Sequence, residues 1–89
     1  MSDEPVEVPI EGELDLHTFR PRDIPAVVAE FLVAAHDRGL ADVRLVHGRG
    51  TGAQRAVVQR VLRTHPLVAA FHDDPASHLG ATIAVLVGR

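Results

Sequence analysis

His47-Gly48-Arg49-Gly50-Thr51-Gly52 stands between a short apolar run, Val43 to Val46, and a helical pattern that opens near Ala53. Three glycines in five residues allow a tight turn and a close approach of ligand to backbone. The helix beyond it offers free N–H groups and the positive end of its dipole. An arginine and a histidine share the turn. Strand, glycine turn and helix together read as a βα unit with a phosphate-handling loop. A nucleic-acid or nucleotide phosphate is the first candidate ligand. The Lys-Ser/Thr ending of a Walker loop is missing, and the third glycine is wrongly spaced for a dinucleotide fingerprint. No nucleotide cofactor is therefore expected.

Outward from this turn, the pattern alternates between strand and helix. Glu13-Leu14-Asp15-Leu16-His17 alternates polar and apolar residues, as a half-buried strand does. Ile24, Val27, Val28, Phe31, Leu32 and Ala35 recur at helical spacing, with Asp23 as N-cap, Pro25 in the first turn and Gly39 as the terminating cap. The second helix is expected from Ala53 to Thr64, opened by a capping box over Thr51-Gly52-Ala53-Gln54. On a helical wheel, Arg55, Gln59, Arg63 and Arg60 share one arc while Val57, Val58, Val61 and Leu62 hold the other. His65-Pro66 stops the helix. Leu67 to His72 reads as a third strand, Asp73 to Leu79 as a turn region, and Ala81 to Val87 as a central or well-covered strand.

The order β-α-β-α-β-β predicts a two-layer α/β sandwich, with both helices on one face of a mixed four-stranded sheet. Strands separated by helices pair in parallel through right-handed crossovers, and the last two strands are close enough for a hairpin. The 89 residues suffice for one domain, with residues 1–9 as an acidic, proline-bearing tail and 10–89 as the folded unit. The chain has no Cys, so disulfides and thiolate metal sites are excluded. No apolar run is long enough for a membrane span, and the polar N-terminus lacks a secretory pattern, so no membrane partner and a cytoplasmic location are expected. Net charge is −3, which argues against strong non-specific nucleic-acid binding. The acids concentrate at the N-terminus, however. From Leu14 to His72 there are eight Arg against five acids, and the chain has no Lys.

Ligands of such sheets gather outside the carboxyl ends of the parallel strands. His17 and His47 end the first two strands, so both are expected at that rim, able to serve as base and acid. Asp15 is placed to orient an imidazole, hold a divalent ion or act as base. Arg49 is the candidate phosphate clamp, with the amides of Gly50, Thr51, Gly52 and Ala53 around it. Arg55 and Arg63 are candidate contacts to the nucleic-acid backbone. His36, His65, His72 and His78 read as surface or capping residues, since no pair has zinc-site spacing.

Leu14-Asp15-Leu16-His17, the His47–Gly52 turn, His65-Pro66-Leu67-Val68 and Gly80-Ala81-Thr82 occur in an order that resembles the Smr (small MutS-related) domain. The resemblance covers most of the chain, from about Leu14 to Leu86. It implies an α/β sandwich, binding to DNA or RNA, and an endonuclease or nicking activity in which Asp15, His17, His47, Arg49 and Gly50 take part. It leaves Mg²⁺ or Mn²⁺ as a candidate cofactor, with Asp15 as the candidate ligand. The alternatives are a non-catalytic RNA- or ribosome-binding module and a protein-interaction domain. Two positions depart from the family pattern. Thr18-Phe19 stands where Gly usually follows LDLH, and Ser77-His78 replaces the usual Gly-Gly. Nothing resembles the ATPase core of MutS-type proteins, so a stand-alone domain is expected.

Overall fold

A computed structural model describes residues 12–88 of the chain. The acidic tail assigned to residues 1–9 lies outside the described residues. The elements are β1 (Glu13–Asp15), α1 (Ile24–Asp37), β2 (Asp42–Val46), α2 (Ala53–Thr64), β3 (Val68–Asp73) and β4 (Ala81–Leu86). Short 3-10 turns, Pro21–Asp23 and Pro75–Ser77, precede α1 and β4.

The sheet order is β1-β2-β4-β3, with β1 parallel to β2 and β4 antiparallel to both of its neighbours. The three strands β1, β2 and β3 therefore point the same way. Their carboxyl ends form one rim, shared with the start of β4. The last strand enters between β2 and β3, which makes β2 and β4 interior and leaves β1 and β3 at the edges.

Alternation along the strands sorts the side chains by face. Val43 and Leu45 of β2 and Ala84 and Leu86 of β4 meet Val28, Phe31, Leu32 and Ala35 of α1 and Val58 and Leu62 of α2 in one core. Both helices thus cover the same face. Full burial of a Leu or Val contributes about 1.5–3 kcal/mol, and this layer supplies most of the driving force for a chain with only three aromatic residues.

Three local expectations differ from the structure. Strand β1 ends at Asp15 rather than at His17, because Phe19 N–H donates to Leu16 C=O and turns the chain away. Asp23 makes no side-chain cap, since the 3-10 turn before α1 already holds it in a helical conformation. The capping box does not form. Gly52, in the left-handed region at φ +91°, takes the N-cap position, and Thr51 lies one residue too early. Its Oγ1 accepts from Ala53 N–H at 3.3 Å instead.

Candidate functional site

Three loops converge on the rim. These are the turn after β1 (Leu16–Arg20), the glycine loop after β2 (His47–Gly52), and the turn between β3 and β4 (Asp74–Gly80). The amides of His47 and Gly48 both donate to Gly80 C=O, at 3.1 and 2.8 Å, and lock the second loop to the third. The position a Cβ would take on Gly80 lies 3.1 Å from Ser77 C=O, so a side chain there would require the turn to give by a few tenths of an ångström. Gly48, at φ +80°, faces the first loop. Its Cβ position lies 3.3 Å from His17 Nε2. A side chain at residue 48 would be strained and would press on the imidazole.

Asp15 and His17 form a dyad. Asp15 Oδ1 accepts from the His17 backbone N–H at 2.9 Å and from His17 Nδ1–H at 2.6 Å. The carboxylate thereby fixes the tautomer and leaves Nε2 as the acceptor, on the side of the ring near Gly48. These bonds, the backbone one foremost and the side-chain one next, hold the Asp15 carboxyl below the usual aspartate range. Their closeness comes from the turn rather than from a shared strand face. Both side chains are open to solvent, at 63% for His17 and 62% for Asp15.

His47 has a different place from the one expected. It is 6% exposed and turned into the fold. Its Nδ1 donates to Gly48 C=O at 2.9 Å, and its Nε2 lies 2.9 Å from Thr82 Oγ1. A carbonyl can only accept, so Nδ1 carries the proton and Nε2 accepts from the threonine hydroxyl. Thr82 Oγ1 in turn accepts from Gln59 Nε2 at 3.1 Å, and the same amide donates to Asp73 Oδ1 at 3.2 Å.

That chain of bonds ends on Arg55. Its Nε and Nη2 donate to the two Asp73 oxygens at 2.7 and 2.8 Å. This pairing lowers the Asp73 carboxyl and raises the guanidinium. Arg63 lies with its guanidinium 5.9 Å from the Phe71 ring centroid, a cation–π contact across α2 and β3. Two of the arginines expected along the nucleic acid are thus engaged within the fold, although Arg55 also lines the cleft. Arg44 likewise bridges Asp74 at 2.6 Å and Glu13 at 3.2 Å across the other face of the sheet.

Arg49 is exposed and makes no ion pair among the described residues. With Gly50, Thr51, Gly52, Arg55 and Leu79 it lines an open cleft of about 210 Å³. Of the amides expected to cradle a phosphate, Gly52 N–H is spent on Arg49 C=O and Ala53 N–H on Thr51 Oγ1. Those of Gly50 and Thr51 make no hydrogen bond among the described residues. A divalent ion would find one uncommitted Asp15 oxygen here. Among the described residues, no three His, Cys, Asp or Glu side chains are grouped to hold a metal.

Gln59, Thr82 and Asp73 were not candidates from sequence. Only Gln59, four residues after Arg55 on the same helical face, carried a readable signal.

The sequence profile of the Smr domain matches residues 14–87. The chain belongs to the Smr domain family. It is 37% identical over 79 residues to endonuclease MutS2 of Halalkalibacterium halodurans, which covers 86% of this chain and 10% of that one. Against endonuclease MutS2 of Thermus thermophilus it is 34% identical over 77 residues, again 86% of this chain and 10% of the relative. The chain thus spans about a tenth of the length of these relatives. In three dimensions it resembles the crystal structure of the Smr domain of Thermus thermophilus MutS2, with a TM-score of 0.78 at 34% identity, over 84% of this chain and 96% of that one. YdaL, a stand-alone small MutS-related protein from Escherichia coli, gives a TM-score of 0.78 at 26% identity, covering 88% of this chain and 66% of that one. Thr18-Phe19 and Ser77-His78 of this Smr domain both lie in the loops that build the rim. No helix among the described residues is long and apolar enough to cross a membrane.

Proposed function

We propose that this Smr domain binds DNA or RNA along the rim and hydrolyses its phosphodiester backbone. The observation that carries the reading is the Asp15–His17 dyad, whose Nε2 lies beside Gly48, next to the cleft of Arg49, which makes no ion pair among the described residues. The MutS2 relatives are named endonucleases, which agrees with it.

In this reading Arg49 and the Gly50 and Thr51 amides hold the non-bridging phosphate oxygens and stabilise the charge that grows on them during attack. His17 Nε2 takes a proton from the attacking water as its oxygen bonds to phosphorus. The bond to the leaving oxygen breaks, and solvent returns a proton to that oxygen. Asp15 holds the imidazole in its productive tautomer and stabilises the imidazolium that forms. His47, with both ring nitrogens committed, acts by positioning the glycine loop. Among the described residues, Mg²⁺ or Mn²⁺ would have one oxygen of Asp15 as a protein ligand and no group of three, which favours the orienting role for that carboxylate.

The test is cleavage of single-stranded RNA, branched DNA and supercoiled plasmid by the purified protein, with and without EDTA. Arg49→Ala is expected to weaken nucleic-acid binding by about 1–3 kcal/mol, the worth of a charge-assisted contact. Its melting temperature should barely move. If Asp15 only orients His17, the defect of Asp15→Asn is the same at every Mg²⁺ concentration; rescue by excess metal assigns it to metal binding instead. One observation favours a non-catalytic binding module, namely that His47 offers no second acid or base. Binding that depends on Arg49, with no cleavage under any condition, would establish that alternative.

A further inference from the structure

The turn between β3 and β4 carries an anomaly that the phosphate site does not explain. Gly80 N–H donates to Ser77 C=O at 3.0 Å, closing a four-residue turn with His78 and Leu79 at its centre. Both have positive φ, +53° and +71°, and they are the non-glycine residues in that region among those described. Two successive positive φ values define a type I′ turn, which Asn and Gly normally occupy. The chain holds His-Leu there at a cost. Ser77 enforces the geometry by donating its hydroxyl to Asp74 C=O at 2.8 Å and accepting from Ala81 N–H at 3.0 Å. Backbone strain retained in this way gathers where a side chain must be presented to something.

What it presents is apolar. Leu79 is 53% exposed and forms a wall of the cleft that also contains Arg49. The large exposed hydrophobic residues among those described are Phe19, Val33 and Leu79. Val33 sits on α1, about 14 Å along the helix from the rim. Phe19 lies on the rim itself, two residues past His17. Two of the three loops that build the rim therefore each present an apolar side chain, Phe19 in the turn after β1 and Leu79 in the turn before β4. A duplex presents only its phosphates and groove edges to such a surface, whereas an unpaired strand offers base faces beside its phosphates.

We propose that Leu79, with His78, and Phe19 receive unpaired bases next to the phosphate held by Arg49, so that the ligand of this rim is single-stranded nucleic acid. The inference rests on the phosphate-binding reading above and adds to it the class of nucleic acid.

Fluorescence anisotropy tests it, using labelled oligodeoxythymidylate and oligouridylate of about 12 nucleotides, an abasic strand of equal length, and a duplex. The wild type is expected to bind a base-bearing single strand roughly 5-fold or more tighter than the abasic strand and the duplex. The double substitution His78→Asn with Leu79→Gly installs the pair that this turn prefers. It should melt no lower than the wild type, keep its affinity for the abasic strand, and lose about 5-fold or more on the base-bearing strand. The chain has no Trp and no Tyr. Phe19→Trp therefore introduces a single indole, whose emission should be quenched by the base-bearing strand and not by the abasic one. Equal affinity of the wild type for base-bearing and abasic strands, or preference for the duplex, overturns the inference. If Arg49→Ala still weakens binding in that case, the phosphate site survives it. If Arg49→Ala changes nothing, the reading beneath the inference falls as well.

Discussion

His17 and His47 follow the ends of two neighbouring parallel strands, yet one is in solvent and the other is sealed. The difference lies in the strands. β1 is a three-residue strand at the edge of the sheet among the described residues, so the chain that leaves it turns over the surface, and its imidazole bonds Asp15 and lies beside Gly48. β2 is flanked by β1 and β4, and β4 brings Thr82 directly beneath the end of β2. The two histidines are also one residue out of register: Asp15 pairs with Val46, so His47 continues opposite the buried Leu16 and His17 opposite Gly48. Side-chain alternation and the neighbouring strand together make one histidine an available base and the other a structural tie.

The largest effect that tests this contrast is on rate. If the rim is catalytic, His17→Ala should lower cleavage by roughly 10²–10⁴-fold, the range for losing a general acid or base. Its melting temperature should stay near that of the wild type, because the side chain is exposed. Cleavage undiminished in His17→Ala would break the contrast at its exposed end.

His47→Ala should show the reverse emphasis. It leaves the Thr82 hydroxyl without its acceptor in a buried site, at a cost of about 1–3 kcal/mol. In a domain of this size that corresponds to a fall in melting temperature of about 4–8 °C per kcal/mol. Thr82→Val removes the same bond from the other side and should cost a similar amount, while Thr82→Ser keeps the hydroxyl and should cost less. A calorimetric scan of the three variants separates them. Were His47→Ala to melt like the wild type, the network would carry no weight.

A smaller effect concerns acid. Asp15 and Asp73 both have carboxyls held below their ordinary range, Asp15 by His17 and Asp73 first by Arg55. A depressed carboxyl stabilises the fold above its unfolded value, about pH 4, and that stabilisation is lost as pH falls through the lower folded value. The Asp15 bonds span two residues, whereas Arg55 and Asp73 join α2 to β3 across eighteen. Asp73→Asn should therefore flatten the fall in melting temperature on acidification more than Asp15→Asn does. Equal acid limbs for the two variants would show that the long-range pair holds no more of the fold than the local one.

Much of the fold was legible in the chain. Apolar spacing gave both helices, and α2 runs over the expected Ala53–Thr64. Alternation and apolar runs located four strands to within about two residues at each end. The first strand–helix–strand crossover gave the parallel β1–β2 pair expected of it and put both strand ends, with the glycine loop, on one rim. The second left β3 parallel in direction to β2 but not paired with it, because β4 lies between them. The dyad was legible in part, since Asp15 and His17 are two residues apart and their bond is local. These features depend on contacts within a few residues, where periodicity, turn chemistry and chirality decide. What the chain alone left open was where β4 enters the sheet. Its insertion between β2 and β3 joins His47 to Thr82 across thirty-five residues and sets Asp73 against Arg55 across eighteen. No local pattern encodes such partners. Only when the sheet closes around its last strand do burial and hydrogen bonding decide that His47 is sealed and that Arg55 is paired, while Arg49 makes no ion pair among the described residues.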